Sequence, residues 1–275
     1  MPPRNLSPMI PPRRRMNPSN SKEMSFWDHI EELRGTIFRS VLIVMVFFVV
    51  GFFFKERLFD GVILRPARSN FWFYRLLGKD LDLDLINIDI AAQFFTHIKV
   101  TFICAVVVSF PFLCYEIWKF VAPGLYENEQ KTVKKAFRLG AVLFYLGIAV
   151  GYFIVMPVLL YFFNGYQVST SVTNTFALTS YISTFTSMVF LMGILFEFPS
   201  VLAVLSHFGL VTREHMRKFR RHAVVVILIL AAVLTPTGDP FTMLVVALPL
   251  YLLYEFSIMI CKPAAAEEEE DAVSE

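Results

Sequence analysis

Residues 36–54 read TIFRSVLIVMVFFVVGFFF, an apolar run in which Arg39 is the only charged residue. Coiled as an α-helix, this run is about as long as the ~30 Å hydrocarbon core of a bilayer is thick. Arg39 lies close enough to its start for the guanidinium to reach the headgroups along its aliphatic stem. The stretch therefore predicts a membrane-spanning helix.

The composition of the whole chain agrees with this prediction. Of the 275 residues, 56% are hydrophobic and 17% are charged, whereas soluble domains have about 25% charged residues. The net charge of +2 creates no global basic field, so nucleic acid is not indicated as a partner. Cys104, Cys114 and Cys261 form no CxxC or Cys/His cluster, and they predict neither a disulfide framework nor a metal site.

Five further apolar segments predict an all-α integral membrane fold of six transmembrane helices. We expect the spans at about residues 36–54, 94–120, 137–163, 181–207, 223–235 and 241–260. Pro111, Pro157 and Pro199 lie within three of them, and proline usually kinks a membrane helix. The spans therefore predict a kinked, concave bundle. The fifth apolar run is only about 18 Å long, well short of the hydrocarbon core.

The segments outside the spans differ in character. Residues 24–262 are predicted to form a single membrane domain between a disordered basic tail, 1–23, and a disordered acidic tail, 263–275. Apolar residues on one helical face, just before the first span, predict an amphipathic helix lying on the membrane surface. In the polar loop after that span, residues 81–90 alternate with period two, which is a weak strand signal.

The distribution of lysine and arginine predicts the orientation. Basic residues concentrate at the N-terminus and in the loops 119–138 and 213–221, whereas the loop 164–180 has no charged residue. Cytoplasmic loops carry the excess of basic residues. Since these basic segments share one side only if the number of spans is even, we expect six spans and both termini in the cytoplasm.

Glu197 is the most informative single residue, because it lies near the middle of the fourth predicted span. A carboxylate at that depth costs about 2.5–3.5 kcal/mol on insertion scales, so we expect it to face the bundle interior, a cavity or a partner. The alternative is a protonated or hydrogen-bonded structural glutamate that joins helices. As a proton or ion site, Glu197 is also compatible with a coupled transporter of small solutes.

Two carboxylates lie in segments predicted to be cytoplasmic, Glu32 before the first span and Glu129 after the second. A carboxylate binds the flat fork of an arginine guanidinium bidentately, so such a site can grip arginines. The alternative is simple charge balance on a basic surface, which spacing alone favours. No GxSxG, HExxH or Walker sequence is present, which argues against a membrane protease or an ATP-driven pump.

Several motifs occur in a fixed order along nearly the whole chain after residue 23. They include HIEELR (29–34), FFTHIK (94–99), YEIWKF (115–120), FEFP (196–199) and LTPTGD (234–239). Each is weak alone, but in this order they resemble the TatC family, the polytopic component of the twin-arginine protein translocase. The resemblance implies a six-span receptor in the bacterial inner membrane that binds signal peptides with paired arginines.

The resemblance also implies partners and an energy source. These are single-span translocase subunits of the TatA and TatB type, in a homo- and hetero-oligomer within the lipid bilayer. Folded cargo is exported at the expense of the proton-motive force, so no nucleotide, metal or other cofactor is expected. The sequence alone leaves open a purely structural scaffold that binds partner helices and no signal peptide. A solute transporter is less favoured, because internal repeats typical of that class are not found.

By resemblance, the signal-binding surface includes Glu32, Arg34 and Glu129, with Phe120 and Pro123 around it. The family often has a second basic residue just after the arginine that matches Arg34, and this chain has Gly35 and Thr36 there instead.

A second set of residues is implied to contact the single-span subunits. Glu197 matches a carboxylate on the concave side, and Pro199 and Asp239 belong to the same partner-contact set. The turn before the sixth span contains an apparent extra residue ahead of Asp239, so partner docking at that end is expected to differ in detail.

Overall fold

The computed structural model describes residues 26–79, 81–169, 171, 174–235 and 239–263. In this part of the chain the α-helices are α1 (Phe26–Phe53), α2 (Lys55–Leu58), α3 (Trp72–Leu77), α4 (Ala92–Val121), α5 (Glu127–Val150), α6 (Met156–Gly165), α7 (Leu178–Leu195), α8 (Phe198–His207), α9 (Arg213–Lys218), α10 (Arg220–Leu234) and α11 (Pro240–Ile260). The predicted tails, 1–23 and 263–275, lie outside the described residues apart from Pro263.

The helices confirm an all-α membrane protein. Within the described residues, five helical stretches are long and apolar enough to cross a bilayer: His29–Phe53, Ala92–Gly124, Glu129–Gly165, Leu178–His207 and Pro240–Ile260. The fifth predicted span, 223–235, corresponds to α10, which has 15 residues and is shorter than the other spans, as its short apolar run indicated.

The prolines interrupt the helices to different degrees. The third span passes through a π-helical turn, Gly151–Val155, just before Pro157. The fourth span is divided between α7 and α8, with Pro199 in the first turn of α8. Proline lacks the N–H that continues a helix, which explains the break. The second span remains helical through Pro111, because a membrane helix tolerates proline where its neighbours compensate.

Helix α1 lies at the edge of the bundle and packs mainly on α4. In the most apolar 18-residue stretch of this helix, 6% is buried within the chain. The corresponding share is 44% in both the third and the fourth span. The helix is continuous from Phe26 and is not broken at Gly35. The expected separate surface helix is therefore wrong: its residues form the first turns of α1 itself.

The connection between α1 and α4 is a packed cap, residues 55–79 and 81–90. Three tyrosine hydroxyls donate to carbonyl oxygens of this segment: Tyr152 to Val62 at 2.8 Å, Tyr181 to Ile63 at 2.6 Å and Tyr74 to Pro66 at 2.8 Å. Burial raises the pKa of the Tyr74 hydroxyl above its ordinary value. The bonds to Ile63 and Pro66 satisfy carbonyls that would otherwise be buried without donors.

The alternating residues 81–90, which gave a weak strand signal, contain only a two-residue strand in the structure. Leu85–Ile86 pairs in parallel with Phe176–Ala177, a ladder of two residues in each strand. Leu81 and Leu83 are buried while Asp82 and Asp84 between them are exposed. The period-two pattern thus reflects real alternation of burial in an extended segment, not a longer strand.

The opposite end of the bundle carries the basic loops, and we call it the basic end. It contains the start of α1, the junction of α4 with α5, and the end of α8 with α9 and the end of α11. Ser200 donates to the Ala136 carbonyl at 2.9 Å, which ties α8 to α5. The Lys262 amide donates to Ser206 at 2.9 Å, which ties the end of α11 to α8.

Candidate functional site

Side chains of α1 and α4 meet at the basic end. The His29 ring stacks on Phe120 with 4.4 Å between ring centroids. Glu32 lies one helical turn after His29 and is half-buried, without a hydrogen bond or ion pair among the described residues. Arg34 is exposed and, being two residues further on, lies on a different face of α1. Of the predicted surface, Phe120 thus packs on α1 at His29, one helical turn before Glu32.

Glu129 lies where α5 begins. Its Oε2 accepts a hydrogen bond from the Tyr126 amide at 3.2 Å, and the Glu129 amide donates to the Tyr126 carbonyl at 2.9 Å. The Gln130 side chain donates to the carbonyls of Ala122 and Leu125, which holds the turn from α4 to α5. Glu129 is thus oriented by capping a helix, a role the sequence analysis missed because tyrosine is not a usual N-cap residue.

The predicted signal-binding residues therefore lie at one end of the molecule, on four segments, of which α1 carries Glu32 and Arg34. Phe120 ends α4, Pro123 is exposed in the turn that follows, and Glu129 begins α5. No ion pair involves Glu32 or Glu129 within the described part of the chain. The arrangement presents carboxylate oxygens, with an aromatic pair beside Glu32, on a basic surface, which suits a cationic, partly apolar ligand.

An ion pair with a buried carboxylate lies further along α1, between α1 and α4. Arg39 Nε donates to Glu116 Oε2 at 2.6 Å, and Arg39 Nη2 donates to Thr36 Oγ1 at 3.2 Å. Glu116 is 9% exposed. A buried carboxylate requires a partner, and Arg39 supplies it; that the guanidinium lies at headgroup depth stays a prediction. Glu116 could have been found by the argument applied to Glu197, since it also lies within a predicted span.

Glu197 lies at the break between α7 and α8, facing α5. Its Oε2 and the Ser200 hydroxyl cover Gly140 so closely that a Cβ there would collide with both. The Oε1 atom is buried and has no hydrogen-bond partner among the described residues. Pro199, two residues later, is buried in the first turn of α8. Glu197 therefore faces neighbouring helices, in agreement with the expectation from its insertion cost.

Asp239 is far from Glu197 along the membrane normal. It caps α11: Oδ1 accepts from the Thr242 amide at 2.8 Å, and Oδ2 accepts from the Thr242 hydroxyl. Helix α8 ends at the basic end about 15 Å from Glu197, whereas α11 reaches that end about 30 Å from Asp239. The structure thus keeps Glu197 and Pro199 together at the start of α8 and places Asp239 apart from them, at the start of α11.

No metal centre is formed by the described residues, since none of their His, Cys, Asp and Glu side chains form a group of three or more with suitable spacing.

Comparison with known proteins places the chain in one family. Residues 28–249 match the family described as "Sec-independent protein translocase protein (TatC)". A relative of that name from Blattabacterium sp. subsp. Periplaneta americana (strain BPLAN) is 36% identical over 88% of this chain and 96% of its own. Another of that name, from Desulforapulum autotrophicum, is 34% identical over 92% and 90% of the two chains.

Solved structures show the same relationship. A crystal structure of the twin arginine translocase receptor TatC in DDM superposes with a TM-score of 0.71 at 29% identity, covering 85% of this chain and 99% of that one. A second crystal structure of the twin arginine translocase receptor TatC has a TM-score of 0.67 at 28% identity, covering 84% and 97%.

Proposed function

Because this chain belongs to the TatC family, we propose that it is the signal-peptide receptor and core subunit of a Sec-independent translocase for folded proteins. The family match and the likeness to twin arginine translocase receptors favour this function over an ion-coupled solute transporter. The multi-pass helices place the chain in a membrane, and we assign it to the bacterial inner membrane with both termini in the cytoplasm.

The observation that carries the proposal is the contrast among the glutamates at and near the basic end. Glu116 is neutralised by Arg39, and Glu255 pairs with Arg220 at 2.7 Å. Glu32 and Glu129 have no cationic partner among the described residues. A guanidinium from outside the chain is the ligand that such carboxylates bind best. The paired arginines of a signal peptide therefore fit this surface, with His29 and Phe120 as its aromatic floor.

We also propose which residues contact the partner subunits and what drives export. Glu197 and Pro199 would contact single-span subunits of the TatA and TatB type where α7 and α8 are separated, and Asp239 would contact them at the opposite end. Support comes from the buried Oε1 of Glu197, which has an unused acceptor that a partner donor can satisfy. The proton-motive force would drive export, with the chain in a homo- and hetero-oligomer.

The test is crosslinking of a twin-arginine signal peptide to a photoreactive residue placed at Pro123, in membranes. Glu129→Gln retains an oxygen that caps α5 and removes only the charge. We expect Glu32→Gln and Glu129→Gln each to lower crosslinking by about tenfold, because each variant loses the free energy of one charge-assisted hydrogen bond.

Glu31→Gln is the matched control, because Glu31 is an exposed neighbour of Glu32 on another face of α1. It should leave crosslinking unchanged, and a signal peptide with lysines in place of both arginines should crosslink poorly to every variant. Full crosslinking in Glu32→Gln and Glu129→Gln would contradict the assigned binding surface.

A further inference from the structure

A cavity of about 340 Å³ lies at the basic end, between α5, α8 and the end of α11. It is separate from the surface formed by Glu32 and Phe120. Its apolar part includes Leu139 and Ile260, and its polar part includes Lys135, His207 and Lys262. Among the described residues, no acidic side chain lines it. The cavity is therefore amphiphilic, with positive charge at its polar side.

His207 is the unusual residue of this cavity. Both ring nitrogens are buried and neither has a hydrogen-bond partner among the described residues. An imidazole always carries at least one N–H, and a buried donor without an acceptor destabilises the fold. The nearby Ser206 hydroxyl already accepts from the Lys262 amide at 2.9 Å. No acceptor among the described residues reaches either nitrogen, and a molecule that enters the cavity can supply one.

The position of the cavity indicates what that is. Its walls are the first turns of α5 and the last residues of α8 and α11, where the apolar spans end. Lys135 is exposed and forms no ion pair in the described part of the chain. Basic pockets between transmembrane helices at the membrane boundary suit the headgroups of anionic lipids.

We propose that this cavity binds the phosphate of an anionic phospholipid. Its phosphate oxygens accept from His207 and are attracted by Lys135, and the first carbons of its acyl chains lie along Leu139 and Ile260. A free phosphate ion would use the charges but not the apolar wall. The lipid would join α5 to α8 and α11 at the membrane boundary.

The test measures lipids retained by the full-length protein, purified in detergent, after addition of equal amounts of phosphatidylglycerol and phosphatidylcholine. Native mass spectrometry counts the bound molecules. We expect preferential retention of phosphatidylglycerol, and a loss of about fivefold in Lys135→Gln, the contribution of one lysine near an anionic lipid.

Lys134→Gln is the matched control, because Lys134 is exposed, adjacent in sequence and not part of the cavity wall. It should retain phosphatidylglycerol like the parent chain, and His207→Leu, which has no N–H to donate, should weaken retention as Lys135→Gln does. Equal losses in Lys134→Gln and Lys135→Gln would show diffuse surface attraction and overturn the proposal, as would equal retention of the two lipids.

Two further experiments identify which molecule or segment fills the cavity. Displacement of the lipid by inorganic phosphate would show that the site takes a free anion, and would overturn the assignment to a phospholipid. A chain that ends at Pro263 lacks the acidic residues 267–271, and it should retain phosphatidylglycerol as the full chain does. A large gain on this truncation would mean that the acidic segment is the occupant instead.

Discussion

Two regions of the bundle hold a carboxylate within the membrane in opposite ways. Between α1 and α4, Glu116 is paired with Arg39 on a helix that has little other packing. Where α5 crosses α7 and α8, the helices lie almost in backbone contact, and Glu197 has an oxygen without a partner. The first region is joined by charge and the second by close packing.

The comparison shows how an unpaired carboxylate can be maintained. In the crossing, closely packed apolar side chains contribute enough stability that Glu197 need not be satisfied within the chain. Helix α1 contacts little besides α4, so a lone carboxylate between the two helices would weaken its attachment. An unsatisfied group in a well-packed region is therefore the better candidate for a partner site, and a satisfied one in a loosely packed region is structural.

The largest loss of stability is expected when a methyl group is added where α5 crosses α7. A Cβ at Gly147 would collide with the Met192 carbonyl and lie 2.7 Å from the Phe196 Cβ. Because backbone cannot move as a flexible side chain does, Gly147→Ala should destabilise the protein by about 3 kcal/mol. Thermal unfolding in detergent measures this. Gly61→Ala is the control, since a Cβ there meets nothing within 4 Å, and equal unfolding of the two variants would contradict close packing as the cause.

Breaking the ion pair should have an asymmetric effect. Arg39→Leu leaves Glu116 buried and unpaired, whereas Glu116→Leu leaves Arg39, whose side chain is 42% exposed and can move to the headgroups. We expect a loss of about 3 kcal/mol for Arg39→Leu and roughly 1 kcal/mol for Glu116→Leu. The double variant should recover much of the stability lost in Arg39→Leu. Equal losses in the two single variants, measured by denaturant unfolding, would refute this account.

The smallest effect on stability is expected at Glu197, and it sharpens the comparison. Glu197→Gln keeps the volume and breaks no ion pair, so the free energy of unfolding should change by less than about 0.5 kcal/mol. Association with single-span subunits, measured by co-purification, should nevertheless fall. A stability loss as large as that of Arg39→Leu would assign Glu197 a structural role instead.

Much of the fold could be predicted because membrane insertion depends on local sequence. An apolar run of sufficient length must form a helix in lipid, since no water satisfies its backbone. The short α10 and the break at Pro199 followed from run length and from the missing proline N–H. The free-energy cost of placing a carboxylate in lipid depends on its depth, which can be read from the sequence. That cost predicted that Glu197 faces neighbouring helices and not lipid.

Other features depended on contacts between segments distant in sequence. The sequence predicted the cap only as a polar loop. Hydrogen bonds from Tyr152 and Tyr181 hold it in place, and these residues are about 90 and 118 positions from the carbonyls they bind. The capping role of Glu129 needed the backbone geometry at Tyr126. The continuity of α1 needed its packing on α4, where Thr36 is buried and Arg39 turns inward to Glu116.

The sequence by itself determined the membrane class, the helices and the depth of each carboxylate, since these follow from hydropathy and from distance along one helix. Only the tertiary structure decided which carboxylates are neutralised. Glu116 is paired because α1 packs on α4 with Arg39 facing it, whereas Glu32 and Glu129 meet no cation among the described residues. Charge pairing acts over a few ångströms, and only folding brings distant segments that close.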